Sequence, residues 1–164
     1  METDAEYFEN WVEKFDLLCR PKKDVGFIGS CFFIGIICTM FWFPVLSDRI
    51  GRTTLILVSL ATQMVSYVVL FKTDNLYVGY VCLILMGTTF PGKHVVLYNY
   101  SLEVLPKKYH QQMIAMVAFC ETFIVVVISF SYQYLSKRWQ PLQFIGMIVT
   151  GLCLLFSVLF FHES

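Results

Sequence analysis

The sequence is poor in charged residues, and this deficit restricts the class of protein to which it can belong. Lysine, arginine, aspartate and glutamate make up 15% of its 164 residues, whereas hydrophobic residues make up 57%. Soluble globular domains carry about 25% charged residues, and so short a chain still exposes much of its surface. Lipid-facing side chains, in contrast, should be apolar. The composition therefore indicates a membrane protein.

The motifs of soluble enzymes and of nucleic-acid-binding proteins are also absent from the sequence. The chain has no C-x-x-C pair, no H-E-x-x-H motif and no glycine-rich phosphate loop, so we expect no metal site, no cofactor and no catalytic group. Its formal net charge is zero, which gives it no electrostatic hold on nucleic acid. Glu2 and Asp4 make the start acidic, unlike the basic start of a secretory signal peptide. An enzyme is the least favoured class.

Long apolar runs are what the sequence has in abundance. A spanning helix needs about 20 mainly apolar residues, and an open chain can satisfy its backbone amides in hydrocarbon only as helix. The runs predict five spans, at residues 25–46, 54–71, 76–99, 113–134 and 142–161. Gly26 and Ser30 form a small-xxx-small pair that predicts a close contact between helices. The sequence thus predicts an all-α integral membrane protein with a transmembrane bundle at residues 25–164.

The first 24 residues form a separate, acidic segment. Apolar residues recur on one face of a predicted helix, and acids occupy much of the other face. The apolar positions are Phe8, Trp11, Val12, Phe15 and Leu18. This pattern predicts a short amphipathic helix that lies along the membrane surface or against the bundle.

A tight charged loop joins the first two runs. It reads Asp48-Arg49-Ile50-Gly51-Arg52. Gly51 permits backbone angles that other residues avoid, and Asp48 can hold an arginine or cap the following helix. From charge spacing alone, a solvated turn with interfacial anchors is the simpler interpretation.

This loop nevertheless resembles the signature loop of the major facilitator superfamily, which joins the second and third helices of a six-helix half. The segment from Tyr100 through Glu103 and Pro106 to His110 resembles the Y-x-x-E-x-x-P-x-x-x-R pattern of sugar and organic-ion porters. Residues 161–164, with Glu163, resemble the start of their P-E-S-P-R element. Residues 10–19 look like the segment before the second helix of organic cation transporters.

The resemblance has departures from the family pattern. Pro44 stands where a glycine is usual, and Thr53 stands where a basic residue is usual. His110 replaces an arginine, and His162 replaces a proline. We expect these changes to weaken the charge network of the family without abolishing it.

The resemblance implies that the five spans correspond to helices two to six of a twelve-helix carrier, so that the first helix and the second half are missing. It implies alternating-access transport of a small organic solute or ion, with the plasma membrane as the expected location. The expected partners are the lipid bilayer, the solute, and a complementary half-transporter or other membrane subunits. The alternative is a non-transporting structural subunit or relic.

The family topology places the loops at residues 47–53 and 101–112 in the cytoplasm. The simple count of lysines and arginines favours the opposite orientation.

Three ionisable residues lie inside the predicted spans. Lys93 and His94 follow the Pro91-Gly92 break in the third span, and Glu121 lies in the fourth. Counted from the charged end, Lys93 and Glu121 are both about 13–15 Å deep. Charged groups at such depth are costly and usually face a cavity or a partner. We expect a Lys93–Glu121 pair that serves as a substrate or proton site or, as an equal alternative, stabilises the bundle. His94 is a further candidate for the substrate or proton pathway, and its alternative is a hydrogen-bonded helix residue.

Overall fold

The computed structural model of the chain describes residues 14, 15, 17, 21–134 and 139–160. Regular structure in these ranges is helical throughout. The elements are α1 (Lys22–Met40), α2 (Trp42–Ile50), α3 (Arg52–Lys72), α4 (Leu76–Pro91), a π-helical turn (Gly92–Val96), α5 (Leu97–Val104), a 3-10 turn (Lys107–Tyr109), α6 (His110–Tyr134) and α7 (Trp139–Phe160). Five helical stretches are long and apolar enough to cross a membrane. These findings confirm the predicted all-α membrane fold.

The charged loop between the first two spans is shorter than the sequence suggested. Residues 47–50, predicted as loop, form the last turn of α2. Pro44 occupies the first turn of this helix, where its missing N–H costs nothing. The chain then reverses at Gly51, whose φ of 98° lies in the region that favours glycine.

The third span is one continuous helical stretch that contains a π-helical turn. Pro91 ends α4 and cannot donate to the helical ladder. The π-helical turn follows at once and passes the chain on to α5. Because such turns alter the register of the side chains that follow, Lys93 and His94 do not lie where an unbroken α-helix would place them.

Glycine sets the contact between α1 and α4. A Cβ added to Gly35 would lie 2.9 Å from the Thr88 amide nitrogen and 3.0 Å from the Gly87 Cα. Gly26, in contrast, has nothing within 4 Å of such an atom, and Ser30 is exposed. The predicted Gly26–Ser30 contact face is therefore wrong, and Gly35 with Gly87 takes its place.

Helix α3 is central to the bundle, whereas α6 is peripheral. The α3 helix packs against α4, α7 and the π-helical turn, and the Gln143 side chain of α7 donates a hydrogen bond to the Tyr67 carbonyl of α3 at 3.0 Å. On α6 no described side chain is buried. This helix thus presents most of its surface to whatever surrounds the bundle.

The described residues of the N-terminal segment pack against the bundle. Phe15 and Leu17 are buried beside Leu70, Leu76 and Cys82. The Lys14 ammonium donates hydrogen bonds to the carbonyls of Leu70 and Phe71, at 2.8 and 2.9 Å. Burial lowers the pKa of Lys14, and Asp74 opposes that effect. The rest of the predicted amphipathic helix, including Phe8, Trp11, Val12 and Leu18, lies outside the described residues.

Candidate functional site

Arg52 is the centre of a charged cluster at one end of the bundle. It is the first residue of α3, and its guanidinium forms an ion pair with the Glu103 carboxylate in the last turn of α5. A second, longer contact of 3.4 Å joins it to the Asp48 carboxylate of α2. The Arg52 side chain is 28% exposed, against 59% for Glu103. One cation therefore ties the second span to the third at this end.

The other residues of the predicted cytoplasmic motif differ in their exposure. Arg49 is exposed in the last turn of α2, and no ion pair reaches it from the residues that the structure describes. Tyr100 is half-buried one turn before Glu103, and Pro106 is exposed where the 3-10 turn starts. Glu163 lies outside the described residues.

His110 has a role in this cluster that the sequence did not reveal. Its Nε2 lies 2.8 Å from the carbonyl oxygen of Leu105, the residue that follows α5. The contact joins the two ends of the loop between the third and fourth spans, because His110 begins α6 and Leu105 follows α5. The sequence marked His110 only as a departure from an arginine, because the partner is a backbone oxygen that no side-chain pattern reveals.

The second group of predicted site residues lies halfway along the spans, and the structure pairs them differently from the expectation. The Lys93 ammonium donates a hydrogen bond to the Gln63 side-chain oxygen of α3. The His94 Nδ1 lies 2.9 Å from a carboxylate oxygen of Glu121 on α6. This arrangement corrects the predicted direct pair between Lys93 and Glu121, because each of the two has another partner.

Lys93 and His94 are consecutive residues of the π-helical turn that contact different neighbouring helices, because successive side chains of a helix point in different directions. Lys93 points to α3 and His94 to α6, so the third span contacts both flanking helices through polar groups at one level. The Phe90 ring stacks on the His94 imidazole with centroids 4.0 Å apart and planes at 22°. Glu121 is 50% exposed and His94 40%, so neither is sealed inside the described bundle.

Gly92 lets the π-helical turn approach α3. A Cβ at this position would clash with the Ser59 hydroxyl and would lie 3.2 Å from the Phe43 ring. Ser59 and Gln63 are one turn apart on α3, so this close approach places Lys93 within reach of Gln63. Gln63 is the site residue that sequence reasoning missed. The available signal was a polar amide in the middle of an apolar run.

The chemistry of this site is ionic and hydrogen-bonding. Within the described ranges, no three histidine, cysteine, aspartate or glutamate side chains group as metal ligands would. An ammonium, an imidazole and a carboxylate at one depth of a spanning bundle can bind a charged solute, pass a proton or hold helices together. Together with the fold, they define an integral multi-pass membrane protein with a polar centre.

The sequence matches the profile of the Major Facilitator Superfamily over residues 20–164, and the chain belongs to that family. It is 23% identical to an organic cation transporter-like protein of Drosophila melanogaster over 98% of this chain and 28% of the relative. It is 24% identical to solute carrier family 22 member 7 of Rattus norvegicus, over 82% of the chain and 25% of the relative. An organic cation transporter protein of Drosophila melanogaster is also 24% identical, over 92% and 27%. The chain therefore spans about a quarter of the length of these relatives.

Proposed function

We propose that this chain forms part of an alternating-access carrier for a small organic solute or ion, and that Lys93, His94 and Glu121 contribute to the path of the solute or of a proton. The observation that carries the proposal is the placement of three ionisable side chains at one depth inside the spans. Carriers of this kind bind solutes near the bilayer midplane, where broken helices present polar groups. The third span is continuous, and its π-helical turn is the local departure from α-helical geometry that carries Lys93 and His94.

The charged cluster at the end of the bundle has a separate role in this proposal. Arg52, Asp48 and Glu103 stabilise one state of a gate on the cytoplasmic side. An exposed ion pair contributes only about 0–1 kcal/mol, which is enough to bias two states that differ by a few kcal/mol. The orientation rests on the family resemblance, and the plasma membrane is the proposed location.

The path needs a second wall, because the described helices leave Glu121 and His94 half-exposed. We assign that wall to further membrane segments, either of a longer protein or of a complementary chain. The relatives are about four times as long as the matched region, which is consistent with such an addition.

The proposal is tested by solute binding to the purified chain in lipid nanodiscs. A set of small aromatic solutes of both charges is titrated while the thermal unfolding midpoint is followed. We expect at least one solute to raise the midpoint, and Lys93→Gln or Glu121→Gln to remove the effect. Lys107→Gln, in the exposed 3-10 turn, is the matched control and should retain it. Absence of binding by every solute, or binding that ignores both substitutions, would contradict the proposal.

A further inference from the structure

Three described side chains of the N-terminal segment attach it to the bundle by two kinds of contact. Phe15 and Leu17 are each 4% exposed and form one buried cluster with Leu70 at the end of α3 and Leu76 at the start of α4. Lys14 donates hydrogen bonds to two of the last carbonyls of α3. We call Lys14, Phe15 and Leu17 the latch, and it contacts both helices that flank the turn between α3 and α4.

Gly79 forms the seat of the Phe15 ring on α4. A Cβ added at this position would lie 3.1 Å from the Phe15 Cζ and 3.3 Å from its Cε1. Interiors are close-packed, so even one added methyl group would press the ring out of its place. Alanine is the better helix former, so the helix alone gives no reason for a glycine here. The glycine serves the docking of Phe15.

The first two turns of α4 also hold the start of α1, to which the latch is joined along the chain. The Tyr80 hydroxyl donates a hydrogen bond to the Asp24 carbonyl in the first turn of α1, at 3.1 Å. Helix α4 packs against α3 as well. The start of α1, the end of α3 and the latch therefore meet at one place on α4.

Helix α3 and the third span are tied together at both ends, by contacts of different kinds. At one end the tie is the ion pair between Arg52 and Glu103. At the other end it is the latch, which places Lys14 on α3 and Phe15 on α4. Cys82 of α4 is 4% exposed and belongs to the buried cluster of the latch.

From these contacts we infer that the latch is a conformational device of this end of the bundle. When docked, it holds the ends of α3 and α4 together and seals Cys82. When released, it opens this end while the helices stay folded. A segment held by side chains on the rim of a bundle opens at a lower free energy than the helices beneath it. The latch acts on the bundle itself and requires no solute.

Two native thiols report on the latch and on the rest of the bundle separately. Cys82 lies in the cluster of the latch, whereas Cys31 is 0% exposed on α1, one turn from the Gly35 contact. The full chain in nanodiscs is treated with N-ethylmaleimide. Modification of each thiol over time is read by mass spectrometry of the peptide that carries it.

We expect Phe15→Ala to raise the rate of Cys82 modification by about tenfold or more, because burial of the ring stabilises the docked state. Gly79→Val should have a similar effect because it fills the seat of the ring. Phe15→Ala should add little in the Gly79→Val background, since both changes remove one contact. Gly26→Ala is the matched control and should change neither rate, because nothing lies within 4 Å of its Cβ.

The rate at Cys31 should stay the same in every variant. An equal rise at Cys31 would mean that the whole bundle has loosened, and an unchanged rate at Cys82 in Phe15→Ala and Gly79→Val would mean that the latch seals nothing; either result would overturn the latch. Where a variant fails to fold, the unaltered chain decides. Its Cys82 should react faster than Cys31, since only Cys82 lies under a segment that opens locally, and the reverse order would contradict the latch.

Discussion

Two glycines determine how closely the first and third spans approach each other. A Cβ at Gly35 would meet the backbone of α4, which has no flexible end that can move aside. We expect Gly35→Ala to destabilise the bundle by about 1–3 kcal/mol, as overpacking of a tight contact does. The free energy of unfolding, measured in mixed micelles, checks this value. Gly29→Ala is the control, because nothing lies within 4 Å of its Cβ, and it should be neutral or stabilising.

At Lys93, a charged side chain depends on a neutral hydrogen-bond partner. Gln63→Leu removes the acceptor of the Lys93 hydrogen bond and leaves a half-buried ammonium without a partner. We expect this change to cost about 1–3 kcal/mol. Adding Lys93→Met to the same chain should recover part of the loss, because the group left unsatisfied is then gone. Losses that simply add in the double variant would show that the two side chains are not coupled.

At the scale of helices, α6 is joined to the rest of the bundle by the contact between His94 and Glu121. We expect cysteines placed at these two positions, in a background without other cysteines, to be joined rapidly by a bifunctional thiol reagent with a short linker. The His94 Nδ1 and a Glu121 carboxylate oxygen are 2.9 Å apart, so the two backbones are separated by two side chains in contact, a gap that such a reagent spans. Cysteines at His94 and Ile128, two turns further along α6, form the control pair and should not be joined. Equal cross-linking of both pairs would mean that α6 has no fixed register.

The C-terminal end of α3 depends on a residue from outside the bundle. Lys14 places a positive charge on two of the last carbonyls of this helix, where cations are favoured by the helix dipole. We expect Lys14→Met to lower the free energy of unfolding by about 0.5–2 kcal/mol. Lys14→Arg should recover part of this amount. Lys22→Met, at an exposed position in the first turn of α1, should have no effect.

Orientation in the membrane is a property of the whole molecule, and cysteine labelling reads it directly. Arg52 binds Glu103, so the turn at Gly51 and the loop after α5 lie at one end. We predict that this end faces the cytoplasm. Lys108→Cys should then resist a membrane-impermeant maleimide applied to intact cells, and Asp74→Cys, at the opposite end, should react. Both side chains are exposed, so the side of the membrane on which each cysteine lies decides whether the maleimide reaches it. The reverse labelling pattern would invert the topology and place the charged cluster outside.

Much of the architecture follows from the sequence by itself. The long apolar runs determined the number of spans because hydrocarbon tolerates only internally bonded backbone. The count of spans placed Asp48, Arg52 and Glu103 at one end of the bundle, because two spans separate the loops that carry them. Their grouping as one charged cluster came only from the family resemblance. Gly51 was identified as the reversal point because its backbone is the least restricted.

Only the tertiary structure decided which polar side chains meet inside the membrane. Depth can be counted along a helix, so Lys93, His94 and Glu121 were placed at one level from the sequence. Rotation about the helix axis cannot be counted through Pro91 and a π-helical turn, which shift every following side chain to another face. For that reason the sequence paired Lys93 with Glu121, whereas the folded chain gives Glu121 to His94 and Lys93 to Gln63. The contact face of α1 was also decided only in the folded chain. It lies at Gly35, because crossing helices select one face by shape and not by composition.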